Sequence, residues 1–258
     1  MNILWILSEN QMNIFTQLID LIYPPRCHIC LDFLWRNRAD VDRKEIGFCK
    51  TCFGGFSEIT SPFCPICRRP FETLIEEDHL CENCLRKRPF YDAMGAPYRY
   101  EGCLREAVHQ FKYAGKTYLG DSLGLLVGAF ARRWLDKSDG FLMMPVPLHT
   151  RRLRERGFNQ SLVLARFVAS MMGIELEYLS LRRVRDTQPQ AGLKRDERRK
   201  NVRKAFELMD PKPVRGRTVV LVDDVATTGS TLNECARVIK KAGARKVLCL
   251  VLARTTGY

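Results

Sequence analysis

No stretch of this 258-residue chain is apolar for long enough to span a bilayer. A membrane-spanning role is therefore excluded from the expectations. The apolar start, Met1 to Leu7, lacks a basic n-region and a small-residue cleavage site, so no secretory signal peptide is expected. That points to a cytoplasmic protein, where disulfides are rare. No low-complexity linker or internal repeat interrupts residues 90–258. Three cysteines, Cys103, Cys235 and Cys249, lack a nearby partner. Cys235 and Cys249 are read as small buried residues, and none of the three is given a catalytic role.

What is present is a globular composition, 46% hydrophobic and 28% charged, in a chain long enough for one full domain and a small one. The net charge of +13 is uneven. Residues 1–89 hold 11 basic and 12 acidic side chains; residues 90–258 hold 31 and 17. Within the latter, residues 151–204 hold 15 and 6. Such a basic stretch attracts polyanions, from pyrophosphate to nucleic acid.

Eight of the 11 cysteines form four pairs: Cys27 and Cys30, Cys49 and Cys52, Cys64 and Cys67, Cys81 and Cys84. Each C-x-x-C turn can present two thiolates to one tetrahedral Zn²⁺. Spacers of 18 and 13 residues suit zinc ribbons. Two Cys₄ sites are expected, paired either in sequence or interleaved. His28 and His79 are read as non-ligands beside full cysteine sets. Each site adds −2, so this lobe becomes acidic and is not expected to bind nucleic acid alone. Metal supplies the folding energy that so small a segment lacks.

Before the pairs, Asn13 to Ile22 has helical periodicity stopped by Pro24 and Pro25. Met-Asn-Ile occurs at residues 1 and 12, and Met12 is the expected true start. The expected division is residues 1–26 as extension and helix, 27–88 as double zinc ribbon, and 89–258 as an α/β domain.

In that domain, strands are expected at Ala93 to Tyr98, Phe141 to Val146, Thr218 to Val222 and Lys246 to Ala253. Helices are expected at Cys103 to Tyr113, Leu119 to Leu135, Asn159 to Met172 and Ser230 to Ala242. Such alternation predicts a parallel sheet covered by helices on both faces. The most telling stretch is Val219-Val-Leu-Val-Asp-Asp-Val-Ala-Thr-Thr-Gly-Ser-Thr231. A buried strand ends in two carboxylates, and a loop of small hydroxyl residues leads into a helix. Ligands bind beyond the carboxyl ends of such strands, and helix N-termini cradle phosphate. Adjacent acids suit sugar hydroxyls or hydrated Mg²⁺. No lysine lies in this loop, which excludes a Walker A site.

Two further loops fit the same site. Val146, Pro147, Leu148 and His149 leave the Phe141 strand, and Arg151, Arg152, Arg154 and Arg156 follow. Guanidinium groups hold phosphate oxygens bidentately. The stretch Thr187, Gln188, Pro189 and Gln190, followed by Arg195 and Arg199, reads as a flexible lid entering a charged helix.

The 219–231 stretch resembles the 5-phosphoribosyl-1-pyrophosphate (PRPP) motif of type I phosphoribosyltransferases. The resemblance implies that Asp223 and Asp224 hold ribose hydroxyls. It implies that Ala226, Thr227, Thr228, Gly229, Ser230 and Thr231 wrap the 5′-phosphate. Residues 146–152 correspond by position to the pyrophosphate loop. Together with Tyr23 to Cys30, the later cysteine pairs, Phe111 to Lys116, Arg156 to Gln160 and Thr187 to Gln190, the chain resembles the ComF family of bacterial phosphoribosyltransferase-like proteins. The resemblance implies a type I phosphoribosyltransferase-like sheet, structural Zn²⁺, Mg²⁺ with PRPP, and links to DNA uptake and its proteins. It leaves the acceptor unnamed. A second expectation is a non-catalytic, PRPP-sensing protein whose basic residues 151–204 track single-stranded DNA, with Phe158 or a nearby aromatic available to stack on bases.

Overall fold

The computed structural model describes residues 19, 21–34, 46–73, 76–113, 115–136, 140–187 and 195–256, and of these the side chains of residues 195, 196 and 199 lie outside the description. The chain divides into two units, Met1–Gly55 and Phe56–Tyr258. In the first, the backbone turns at Cys27–Cys30, and Leu31 takes a left-handed φ of 64°. Cys49 caps helix α1 (Lys50–Gly54), its sulfur accepting from the Cys52 amide. The helix expected from Asn13 is described only at Ile19, Leu21 and Ile22, which are helical and exposed. Its remainder, and Met12, lie outside the described residues.

The second unit opens with the same kind of turn. Cys64–Cys67 is followed by Arg68 at φ 55°, and Phe63 bridges Pro70 just as Arg26 bridges Phe33. Helix α2 (Glu82–Arg86) follows Cys81. Next come β1 (Ala93–Gly95), β2 (Tyr98–Arg99), α3 (Gly102–Tyr113) and α4 (Leu119–Trp134). The chain continues through β3 (Phe141–Pro145), α5 (Thr150–Arg156), α6 (Gln160–Met172) and β4 (Glu175–Leu176). Strand β5 (Leu181–Arg183), α7 (Arg195–Val202) and β6 (Phe206–Leu208) precede β7 (Thr218–Ala226), α8 (Ser230–Lys241) and β8 (Lys246–Arg254).

The main sheet is parallel, in the order β1-β8-β7-β3-β4, with β2 beside the end of β8. Strands β5 and β6 form a separate antiparallel pair. This is the expected α/β architecture. From β3 the chain crosses by α6 to β4 on one side; from β7 it crosses by α8 to β8 on the other. The connections diverge at the β3/β7 line, so that line is the topological switch point where a crevice opens at the carboxyl ends.

Two strands differ from expectation. Ala93 to Tyr98 splits in two, because Pro97 has no amide to give to the ladder. Strand β7 runs on through both acids to Ala226, held by the register Asp223–Val251, Val225–Ala253 and Ala226–Arg254. Strand β4 and the β5–β6 pair were not expected; runs of two or three residues show no readable alternation.

Helices α4 and α6 approach closely along Gly120, Gly124 and Gly128, one turn apart on α4. A Cβ at Gly124 would sit 2.7 Å from the Phe167 ring, and those at Gly120 and Gly128 would meet Val163 and Met171. Asn159 starts α6 by accepting from the Ser161 amide, and Gly173 ends it at φ 67°. Because α6 also delivers Ser161 to the carboxyl edge, its seat on α4 matters. Gly124→Leu is expected to lower stability by about 2–3 kcal/mol, measured by denaturant unfolding.

Candidate functional site

The carboxyl edge of β3 and β7 gathers most of the residues singled out above. Alternation along β7 turns neighbouring side chains to opposite faces. Asp224 is 6% exposed and pairs with Lys112 of α3, Oδ2 to Nζ at 2.7 Å. Its other oxygen accepts from the Val225 amide at 2.6 Å. Asp223 accepts from Ser161 Oγ at 2.8 Å and from the Asp224 amide at 3.0 Å. The two acids thus have different neighbours although adjacent in sequence.

Burial, together with the Asp224 charge, pushes the Asp223 carboxyl up to about 7; Ser161 and Lys112 oppose the rise. Burial works against the Lys112 ammonium, but Asp224 and Asp223 override it and raise its pKa. Around neutral pH the site therefore holds the Lys112 cation beside an Asp223 carboxyl close to its titration point.

Beyond the acids the chain turns through Thr227 and Thr228 to Gly229, whose φ of 74° suits glycine. Helix α8 starts at Ser230 behind Gly229, which has no side chain to cap it, and the Thr228 hydroxyl accepts from the Ser230 amide at 3.3 Å. Its first amides are oriented toward the loop as donors for an anion. Thr228 and Ser230 hydroxyls bond each other at 2.7 Å.

Opposite, the Val146 amide donates to the Val222 carbonyl, placing residues 146–149 level with the acids. Asn159 ties this loop to α6 by donating to the Val146 carbonyl at 3.1 Å. His149 caps α5 through Nδ1, which also lies 3.6 Å from Asp186. The four arginines prove unlike one another. Arg151 is engaged by Glu155 and Asp186. Arg156 donates to the Tyr113 hydroxyl and lies over its ring. Arg154 is exposed. Arg152 is half-buried and donates to the Thr187 carbonyl at 3.1 Å.

Thr187 is buried, and its hydroxyl accepts from Arg183 of β5. Gln188, Pro189 and Gln190 lie outside the described residues, as do the side chains of Arg195 and Arg199; the backbone of the latter pair is helical in α7. Two buried donors lack partners here: Nε2 of Gln160, beside Ser161, and Nε of Arg183. Burial, then the charge of Arg152, lowers the Arg183 pKa. Phe158, considered for base stacking, packs its ring on Phe111 with centroids 5.3 Å apart.

Sequence reasoning assigned no role to Lys112, Asn159, Ser161 or Arg183. Lys112 carries a weak signal, a lysine closing an amphipathic helix whose buried residues are apolar. Asn159 stands at the N-cap position of an apolar periodic run.

The cysteines form two tetrads paired in sequence: Cys27, Cys30, Cys49 and Cys52, then Cys64, Cys67, Cys81 and Cys84. All sulfurs within each lie within 4.8 Å of one another, with Cys30–Cys49 and Cys67–Cys81 each 3.6 Å apart. A tetrahedral Zn²⁺ with 2.3 Å bonds needs sulfurs about 3.8 Å apart, so both tetrads fit the metal. His79 stacks on Phe71 and His28 meets Phe48 edge-on, neither within a tetrad. Elemental analysis is expected to give two zinc per chain, and one for Cys81→Ser; two in that variant would contradict Cys81 as a ligand. Cys235 and Cys249 are fully buried in the core.

Among the described residues no helix is long and apolar enough to cross a membrane. The Phosphoribosyl transferase domain family matches residues 159–257, and the Double zinc ribbon domain family matches residues 18–85. DNA utilization protein YhgH of Salmonella typhimurium is 32% identical over 86% of this chain and 96% of its own length. Competence protein F of Haemophilus influenzae is 32% identical over 79% and 90%. A purine phosphoribosyltransferase structure from Pyrococcus horikoshii overlaps 55% of this chain and 85% of its own at 18% identity and a TM-score of 0.32. With the sheet order, the acid pair and both cysteine tetrads in place, the chain belongs to the ComF family of phosphoribosyltransferase-domain proteins with an N-terminal double zinc ribbon.

Proposed function

We propose that this protein binds PRPP with Mg²⁺ at the β3/β7 edge and transfers its phosphoribosyl group to a nucleophilic acceptor. One observation carries the reading: the acid pair stands at the switch point and runs directly into a helix start whose N-cap is the left-handed Gly229. Asp223 and Asp224 accept the ribose hydroxyls. The amides and hydroxyls of residues 226–231 surround the 5′-phosphate. Residues 146–149 and Arg152 face the pyrophosphate. The unpartnered donors of Gln160 and Arg183 suit an anionic ligand, since buried donors left empty are costly. In the reaction the acceptor forms a bond to C1 and loses its proton. The C1–O bond breaks, and pyrophosphate departs with the electron pair. Mg²⁺ would lie with the pyrophosphate and the acid pair, neutralising charge on the leaving group.

Binding is expected to appear as thermal stabilisation. Mg-PRPP should raise the melting temperature of the wild type more than ribose 5-phosphate does. It should leave Gly229→Val unmoved, because valine is strained at this φ. No shift in the wild type would contradict the reading.

A second reading, PRPP-responsive binding of single-stranded DNA without turnover, draws on the basic excess in residues 151–204 and on the names of the relatives. Steeply salt-dependent DNA binding that PRPP displaces, with no pyrophosphate released, would favour it.

A further inference from the structure

Strand β8 is apolar from Val247 to Ala253 and then ends in an arginine. Arg254 is nevertheless only 5% exposed. Its Nε donates to the Cys67 carbonyl at 3.0 Å, and its Nη1 to the Ala226 carbonyl at 2.9 Å. Cys67 belongs to the second tetrad; Ala226 opens the loop proposed to hold phosphate. Thr255 reinforces the contact, its amide donating to Ala226 at 3.1 Å and its hydroxyl to the Thr227 carbonyl at 3.4 Å. Tyr91 is buried in the same core as the four cysteines, and a Cβ on Gly229 would stand 3.4 Å from its hydroxyl. The tetrad and the loop are thus built against each other inside one unit.

Charge points the same way. Among the described residues, no carboxylate lies within ion-pair distance of Arg254. A buried guanidinium without a counter-charge is strongly unfavourable. Four thiolates around one Zn²⁺ carry a net −2. Metal in the second tetrad supplies the missing negative charge.

We propose that Arg254 is a positioning residue that couples the second cysteine tetrad to the phosphate loop. Metal at Cys64, Cys67, Cys81 and Cys84 and an anion at residues 226–231 then stabilise each other. The identity of the anion rests on the function proposed above; the coupling does not. Because coupling is reciprocal, a ligand that needs the ordered loop must also hold the metal more tightly.

The test uses full-length, zinc-loaded protein and a chromogenic chelator. Zinc should leave in two phases, and Cys27→Ser/Cys49→Ser identifies the phase of the second tetrad. Saturating Mg-PRPP, with binding first established by calorimetry, should slow that phase at least tenfold and change the other less than twofold. Arg254→Met should abolish the slowing, and Arg254→Lys should restore part of it. Equal slowing of both phases, or undiminished slowing in Arg254→Met, overturns the coupling. If the wild type fails to bind PRPP, the proposed function fails, and hydrogen exchange still decides the coupling without ligand. Amides of 226–231 should exchange at least tenfold faster in Arg254→Met and in zinc-stripped protein, while those of α6 stay unchanged. No change at 226–231, or an equal rise across α6, overturns it.

Discussion

Asp223→Asn is expected to bind Mg-PRPP at least a hundredfold more weakly, and yet to unfold at a higher temperature than the wild type at pH 8. The two effects share one cause. The Asp223 carboxyl titrates at about 7 in the folded chain, against 3.8 ordinarily, because burial and the Asp224 charge disfavour its ionised form. A raised carboxyl pKa favours the folded state below the unfolded value. That advantage is lost as pH rises through the folded one. Above pH 7 the carboxylate is therefore a burden on the fold. Asparagine keeps an oxygen for Ser161 and removes the charge. The gain at pH 8 is expected to be about 2–4 kcal/mol, shrinking to little at pH 4. Binding is expected to run the other way, since the role proposed for the ionised carboxylate is to accept ribose hydroxyls. Wild-type affinity should therefore rise between pH 6 and pH 8, and Asp223→Asn should lose that slope. Denaturant unfolding and calorimetry at matched pH check both halves. A variant less stable than the wild type at pH 8 would contradict the assignment.

Lys112→Met should destabilise the fold by about 3–5 kcal/mol, the usual cost of leaving one member of a buried pair alone. Here the abandoned group is Asp224, 9% exposed at its side chain, beside a second acid. Because the Lys112 pKa is raised, its contribution is fully present throughout the neutral range and fades only in strong alkali. Lys112→Met/Asp224→Asn should recover most of the loss, giving a coupling well beyond additivity in a double-mutant cycle. Additive losses would mean the 2.7 Å contact contributes little.

How much of this was legible in the sequence follows from chain distance. The stretch 219–231 could be read because a strand, its acids, the loop and the helix start are contiguous. The α/β pattern was readable for the same reason, each strand and helix carrying its own periodicity. Lys112 was not legible, because nothing local to Phe111 or Tyr113 names a carboxylate in another strand. The arginines after His149 looked equivalent; only their partners separate Arg152 from Arg151 and Arg156. Spacing left the tetrad pairing open, and the folded sulfurs resolve it. That the second tetrad shares a core with Ala226, Leu232 and Cys235 depends on Arg254 and Tyr91, which no cysteine spacing reveals.

The most direct measurement is calorimetric titration of zinc-replete wild type and Asp223→Ala/Asp224→Ala with Mg-PRPP at pH 8. One site per chain in the wild type, lost in the variant, is the expected result. Equal binding by both proteins, or none by the wild type, would contradict a PRPP site at the carboxyl end of β7.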